Sequence, residues 1–249
     1  MSEVIWHDVE CGSYTEDLPL WRSLAAEHGD PVLDVGAGTG RVALDLAAAG
    51  HQVTALDRDP ELIAELERRL GRNPEIVTVS SQALVTTVVA DARDFDLGDR
   101  RFPLVIVPMQ TIQLLGGVEG RARFLACARR HLQPGGVLAA AISEVLDLYE
   151  VVDDFAAPLP DIRETDGIVY SSQPTAIRAD GEGFVLERRR EIVDLAGERT
   201  VEENVIRLDR LTVRGLQREG ETAGFARAGR ARVPATEDYS GSEVVMLRA

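Results

Sequence analysis

Three glycines fall within five residues of the stretch PVLDVGAGTGRVALDLAAAGHQVTALDRDP, residues 31–60, at Gly36, Gly38 and Gly40. An acid, Asp34, stands two positions before the first glycine, and another, Asp57, stands 21 positions after it. A glycine-rich turn from a strand into a helix lets the backbone approach a nucleotide, and chemically different nucleotides exploit it. The spacing discriminates among them. The dinucleotide fingerprint G-x-G-x-x-G/A would place its third small residue at position 41, where the chain has Arg41. A pyrophosphate also wants an open helix N-terminus, and Asp34 puts an anion beside it. That anion favours a cationic or zwitterionic ligand instead. Asp57 can accept from both hydroxyls of a ribose. A ribose without a diphosphate is indicated, on a ligand that carries positive charge.

S-adenosylmethionine has these features: an adenosine, a sulfonium and a methionine tail bearing both charges. A tight turn without a ligand is the plainer reading of the glycines, but the two acids at these spacings favour the ligand. In DRDPE, residues 57–61, Asp59 with Pro60 after it reads as the helix cap, which leaves Asp57 for the ribose.

These residues need a scaffold. Residues 31–35, 52–56, 84–90, 103–107 and 137–142 are short apolar or β-branched runs, read as strands. Residues 41–49, 61–70 and 119–132 carry helical spacing between them, stopping at Gly50, Gly71 and the QPGG of residues 133–136. Apolar strands alternating with helices predict a parallel sheet covered on both faces. Such sheets bind ligands beyond the carboxyl ends of their strands, where Asp34, Asp57, Asp91 and residues 108–110 would converge. The rhythm changes after Ser143. Residues 153–166 read as a loop. Residues 168–172, 184–193 and 200–208 alternate like antiparallel strands, with turns at ADGEG and LAGE. Residues 211–223 are helical again, and 226–233 with 244–247 suggest a closing strand pair.

With those residues on the page, the chain resembles the class I S-adenosylmethionine-dependent methyltransferases. The glycine loop looks like their first motif. VVADARDFDL (88–97) looks like the acidic segment after the third strand. FPLVIVPMQTIQLL (102–115) and HLQPGGVLAAAI (131–142) look like the fourth-strand motif and the helix–PGG–strand that follows. The resemblance covers roughly residues 30–142 and, more loosely, the C-terminal helix and strand pair. It implies a Rossmann-like doubly wound α/β fold, a mostly parallel seven-stranded sheet with a β-rich insertion before the last helix and strand pair. The expected division is a single domain with an N-terminal helical cap (1–30), a cofactor-binding core (31–143), an insertion or lid (144–209) and a return to the core (210–249). The implied cofactor set is Tyr14, Asp34, Gly36, Ala37, Gly38, Thr39, Gly40, Asp57, Arg58, Asp91, Ala92, Arg93, Pro108 and Met109. In it Asp91 would meet the adenine amino group and the Ala92 backbone the ring. The fourth-strand motif departs from the N/D-P-P-Y of many amino-group enzymes that act on nucleic acids and proteins. The insertion resembles that of small-molecule members, so the acceptor expected is a small molecule.

Catalysis is less legible. Methyl transfer from a sulfonium is an in-line displacement in which positioning and desolvation can supply much of the rate. An amine need only arrive neutral, whereas a hydroxyl needs a base. His7, Gln110, Gln113, Glu144 and Tyr149 are candidates by location. Trp6, Tyr14 and Trp21 make the N-terminal segment unusually aromatic, for a pocket wall or simply for packing. His28, His51 and His131 sit at helix ends, where a dipole-complementing or solvated role is expected.

Composition sets outer bounds. The net charge of −15 argues against a partner gripped by its phosphate backbone; that all 27 basic residues are arginine is read as a composition bias rather than as mechanism. No apolar run approaches the ~18 residues that span a bilayer, and no secretory signal is evident. Cys11 and Cys127 have no metal-type spacing, and Cys127 reads as a core thiol. The expected setting is the cytoplasm, with no metal, nucleic-acid or membrane partner. A non-catalytic cofactor-binding protein is the alternative to an enzyme, and a nicotinamide-dependent oxidoreductase a distant third.

Overall fold

The computed structural model describes residues 3–72, 78–79, 82–151, 158–181, 183–236 and 239–249. They divide into two compact units. One joins residues up to Tyr14 with Val145–Arg210, and the other joins Thr15–Glu144 with Leu211–Ala249. The segment 1–30, read from sequence as one cap, is therefore shared between them.

In chain order, the elements begin with α1 (Glu3–Cys11), α2 (Leu18–His28), β1 (Val32–Val35), α3 (Arg41–Ala48), β2 (Val53–Asp57) and α4 (Pro60–Arg72). A short hairpin of β3 (Thr78–Val79) and β4 (Gln82–Ala83) leads to β5 (Val85–Val89), β6 (Phe102–Val107), a 3-10 turn (Thr111–Leu114), α5 (Gly117–His131) and β7 (Leu132–Ile142). Then come β8 (Tyr149–Glu150), β9 (Asp161–Thr165), β10 (Ile168–Asp180), β11 (Gly183–Val193) and β12 (Arg199–Asp209). The chain closes with α6 (Val213–Thr222), β13 (Ala226–Val233) and β14 (Ser242–Arg248).

The larger unit is a seven-stranded sheet in the order β13-β14-β7-β6-β1-β2-β5. Its pairs from β7 to β5 are parallel, and only β14 runs the other way, antiparallel to both β7 and β13. This is the mostly parallel α/β sheet expected. β1 and β6 are buried almost end to end, because helices cover both faces of a parallel sheet. On one face Leu33, Val105, Leu138 and Val245 pack with Phe124, Leu125 and Leu216 of α5 and α6. Side chains alternate along a strand, so Asp34 points to the opposite face.

The smaller unit is an antiparallel sheet, β12-β11-β10-β8, with β9 also paired to β10. Helix α1 lies on it. Trp6 meets Tyr170 edge-on at 5.8 Å and sits under the Arg190 guanidinium. Glu10 takes a bidentate pair from Arg190 and a hydrogen bond from the Ser172 hydroxyl.

Several local expectations need correction. Residues 161–165, read as loop, form β9, because Asp166 and Gly167 both adopt positive φ (53° and 77°) and close a two-residue hairpin onto β10. Of the rest of that loop, 158–160 is irregular, as read, and 153–157 lies outside the described residues. β10 runs to Asp180 rather than ending at 172, bulging between Pro174 and Ala176. β7 begins at Leu132, directly after α5, with an irregular register where QPGG falls. Helix α4 passes through Gly71. His131 is buried rather than solvated. It stacks on Phe95, accepts from the Leu97 N–H at Nε2 and lies 3.1 Å from the Arg100 carbonyl at Nδ1. That pairing is satisfied by a neutral ring protonated on Nδ1. Cys127 is a buried thiol against the Arg93 carbonyl.

Candidate functional site

Parallel strands present their carboxyl ends at one edge. Along it the larger unit brings together Asp34 in β1, the loop 36–40 after it, Asp57 and Arg58 at the end of β2, Asp91–Arg93 after β5, and Pro108–Gln110 after β6. β1 leads through α3 to β2 on one side, while β6 pairs on its other side. The loop therefore sits at the switch point where a crevice opens in such sheets. Glu144 follows β7 in the same unit. Tyr14 and His7 fall in the other unit.

The loop is built from left-handed backbone. Gly36, Gly38 and Gly40 have φ of 76°, 55° and 94°. A Cβ on Gly36 would collide with the Thr111 side chain, and one on Gly40 with Leu66. Its strain is held from outside. The Gly38 N–H donates to Asp57 Oδ2 at 2.9 Å, and Asp57 Oδ1 accepts from the Asp59 N–H at 3.0 Å. Each Asp57 oxygen thus has one partner and a lone pair to spare. Arg69 of α4 donates to the Thr39 hydroxyl at 3.1 Å. Asp59 caps α4 through the Glu61 and Leu62 N–H groups, as read from DRDPE.

Asp34 is the outlier. Its side chain is fully buried, and neither carboxylate oxygen has a hydrogen-bond partner among the described residues. Burial pushes its pKa up to about 7. The Arg41 cation pulls it back, and the like charges of Asp57 and Asp17 add to the rise.

Arg41, the first residue of α3, turns to Asp17, donating from Nη1 at 2.6 Å and Nη2 at 2.8 Å. The Trp21 indole N–H donates to the same carboxylate at 2.8 Å. This pair was not read from the sequence. Its signal was Arg41 in a small-residue slot, together with Asp17 ahead of a helix carrying Pro19 in its first turn. Trp21 is thereby committed to the core of this unit.

Asp91 is held by Arg93. The guanidinium donates to both carboxylate oxygens and the Arg93 N–H to one, bringing the Asp91 pKa down to about 2. Met109 adopts φ 55° at the end of β6. After it, Gln110 donates to the Ser143 hydroxyl at 2.9 Å. The buried Gln113 clamps the Ser143 backbone from both sides, accepting from its N–H and donating to its carbonyl. Glu144 accepts from the Val213 N–H at the start of α6 at 3.4 Å. Among the described residues no group of three or more His, Cys, Asp or Glu could hold a metal ion, and no helix is long and apolar enough to cross a membrane.

Residues 32–136 match the family model described as the methyltransferase domain. A probable cobalt-precorrin-6B C(15)-methyltransferase (decarboxylating) of Methanothermobacter thermautotrophicus is 33% identical over 121 residues, covering 47% of this chain and 56% of that protein. The chain spans about half the length of the curated relatives it matches. Among solved structures the likeness is one of fold and extends further. The SAM-bound amino pentose methyltransferase from Micromonospora echinaspora is 23% identical with a TM-score of 0.70, covering 100% of this chain and 98% of that one. The CcbJ methyltransferase from Streptomyces caelestis is 20% identical with a TM-score of 0.71, covering 96% and 91%. The resemblance first carried by the glycine loop thus holds, as a domain match in the core and a shared fold beyond it.

Proposed function

We propose that the protein transfers a methyl group from S-adenosylmethionine to the oxygen or nitrogen of a small-molecule acceptor. The observation that carries this reading is the Asp34 carboxylate, fully buried with neither oxygen hydrogen-bonded to a described residue, two residues before a loop of three left-handed glycines. Such a group is costly unless a ligand supplies the complementary charge. A phosphate ligand would worsen that cost, whereas a ligand bearing an ammonium and a sulfonium relieves it.

The residues divide the work. The backbone of Gly36, Ala37, Gly38, Thr39 and Gly40 shapes the cradle. Asp57, with lone pairs to spare, accepts from the ribose hydroxyls, and Arg58 flanks it. Asp91 and the Ala92 backbone take the adenine edge, so the carboxylate of Asp91 is shared with Arg93. Pro108 and Met109 wall the crevice on the β6 side, and Tyr14 closes the set. Bound there, the cofactor supplies a methyl group already activated by its sulfonium. The chain's remaining task is to orient the acceptor and exclude water. An amine acceptor needs no base, and a hydroxyl would draw on His7, Gln110 or Glu144. The insertion, 144–209, sets acceptor choice. The small acceptor and the methyl donor are the partners required, with no nucleic acid among them.

The test is turnover. Purified protein is incubated with S-adenosylmethionine and a panel of phenols, amines and carboxylic acids, with mass spectrometry following the methylated product and S-adenosylhomocysteine. At least one class should be methylated. Binding of both cofactor forms with no methylated product from any class would make the protein a cofactor sensor instead.

A further inference from the structure

Two arginine–aspartate forks join α2 and its N-cap, Asp17, to α3. Arg22 of α2 donates to both oxygens of Asp45, at 2.7 and 2.6 Å, with its side chain 48% exposed. Arg41 of α3 donates to both oxygens of Asp17 in a nearly dry site, where the Trp21 indole N–H adds a third bond. An exposed fork docks two helices without burying charge. A buried fork carries a desolvation penalty that its own attraction only roughly offsets. The buried fork also has a neighbour that the exposed one lacks.

That neighbour is Asp34. Arg41 directly follows the glycine loop, and its charge is close enough to draw the Asp34 pKa down. Yet Asp34 is fully buried, and neither of its oxygens is hydrogen-bonded to a described residue. One guanidinium thus stands near two buried carboxylates and closes its fork on Asp17 alone. The sum of the trio is one negative charge, and it falls on Asp34, the carboxylate without a hydrogen-bonded cation. A fork turned to Asp34 would neutralise that charge and leave the loop no attraction for a cation. Burial holds the Asp34 proton up to about pH 7, with Arg41 of α3 opposing the rise and Asp57 of β2 and Asp17 adding to it.

We propose that Asp17 is a positioning residue that sets the charge selectivity of the cofactor cradle: by holding the Arg41 fork, it keeps the negative charge of the trio on Asp34 for a cationic ligand. The role rests on the S-adenosylmethionine reading above and extends it to a residue outside the glycine loop.

The probes are S-adenosylmethionine, a net cation, and methylthioadenosine, which shares its adenosine and sulfur and is neutral. Calorimetry on the intact protein at pH 7.5 gives the ratio of their affinities. Asp17→Asn removes a negative charge from the trio, Arg41→Met removes the positive one, and the double variant restores the natural sum. The preference for S-adenosylmethionine should fall at least about tenfold in Asp17→Asn, the scale of one unit charge about 10 Å away at an effective dielectric of about 20. It should be unchanged or raised in Arg41→Met, and within about threefold of the natural value in the double variant. Asp45→Asn, which opens the exposed fork, should leave it unchanged. A pair that only docks the helices would lower the preference in both single variants, or in neither. The natural protein supplies a second readout. At pH 6 free Asp34 keeps its proton, and the arriving cation favours the ionised form, so binding should release close to one proton. Titrations in buffers of different ionisation enthalpy count it. If Asp17→Asn does not fold, the proton count, Arg41→Met and the double variant, which leaves no buried guanidinium, carry the test. A fall below about threefold in Asp17→Asn, a lowered preference in Arg41→Met, no restoration in the double variant, or binding without proton release would each overturn the role and leave the cofactor reading standing. A natural protein that binds neither nucleoside would overturn the cofactor reading, and the role with it.

Discussion

The two units place charge in opposite ways. In the larger unit the central strands β1 and β6 are buried along nearly their whole length, and charge is enclosed beside them at a few places, among them Asp34, Asp17 with Arg41, and Arg121 with Glu219. In the smaller unit most strand residues are half-buried, and charge is spread over exposed pairs such as Arg178 with Glu150 and Arg199 with Glu191. A carboxylate held by a dry parallel sheet stays where the fold puts it, at a fixed strand end. A half-solvated antiparallel ladder tolerates substitution on its faces.

The sharpest break of that comparison is Asp17→Ala. It strands the guanidinium of Arg41 and the Trp21 indole in a nearly dry site, and it should cost about 3–5 kcal/mol in urea unfolding. A loss below about 1 kcal/mol, the range of exposed pairs, would mean the core's charges are no more specific than the insertion's.

A smaller effect comes from pH. Asp34 has a folded pKa of about 7 against an ordinary 3.8, so between these values the folded protein keeps a proton that the unfolded chain has released. Stability contributed by that proton is present below pH 4 and is lost as pH rises towards 7, by at most about 1.4 kcal/mol per pH unit. Asp34→Asn should flatten this slope in urea midpoints taken from pH 5 to pH 8. The smallest effect belongs to the insertion. Arg207→Ala removes an exposed pair with Asp180 and should shift stability by no more than about 0.5 kcal/mol.

The parts of the molecule governed by short-range rules were legible in the sequence. The alternation of apolar strands and helices gave the parallel sheet. Glycine spacing gave the left-handed loop, and DRDPE gave the Asp59 cap. What escaped depends on contacts distant in the chain. Arg41 meets Asp17 across 24 residues, and Gln113 meets Ser143 across 30. The burial of His131 follows from stacking on Phe95, which helix position alone does not encode. β9 was hidden because its five residues are mostly charged, although the Asp166–Gly167 turn was a usable hairpin signal. At the site, residue types and edge positions were readable. The orphaned state of Asp34 was not, because it depends on what the folded chain fails to place beside it.

The central claim is that the loop 36–40, with Asp34 and Asp57, holds a sulfonium nucleoside rather than a dinucleotide. Calorimetry with S-adenosylmethionine and with NAD, on the natural protein and on Asp57→Ala, tests it most directly. The account predicts binding of S-adenosylmethionine, no binding of NAD, and a loss of about 1.5–3 kcal/mol in the variant, the range for removing a charge-assisted hydrogen-bond partner. Tight NAD binding without S-adenosylmethionine binding, or an S-adenosylmethionine affinity unchanged in Asp57→Ala, would contradict it.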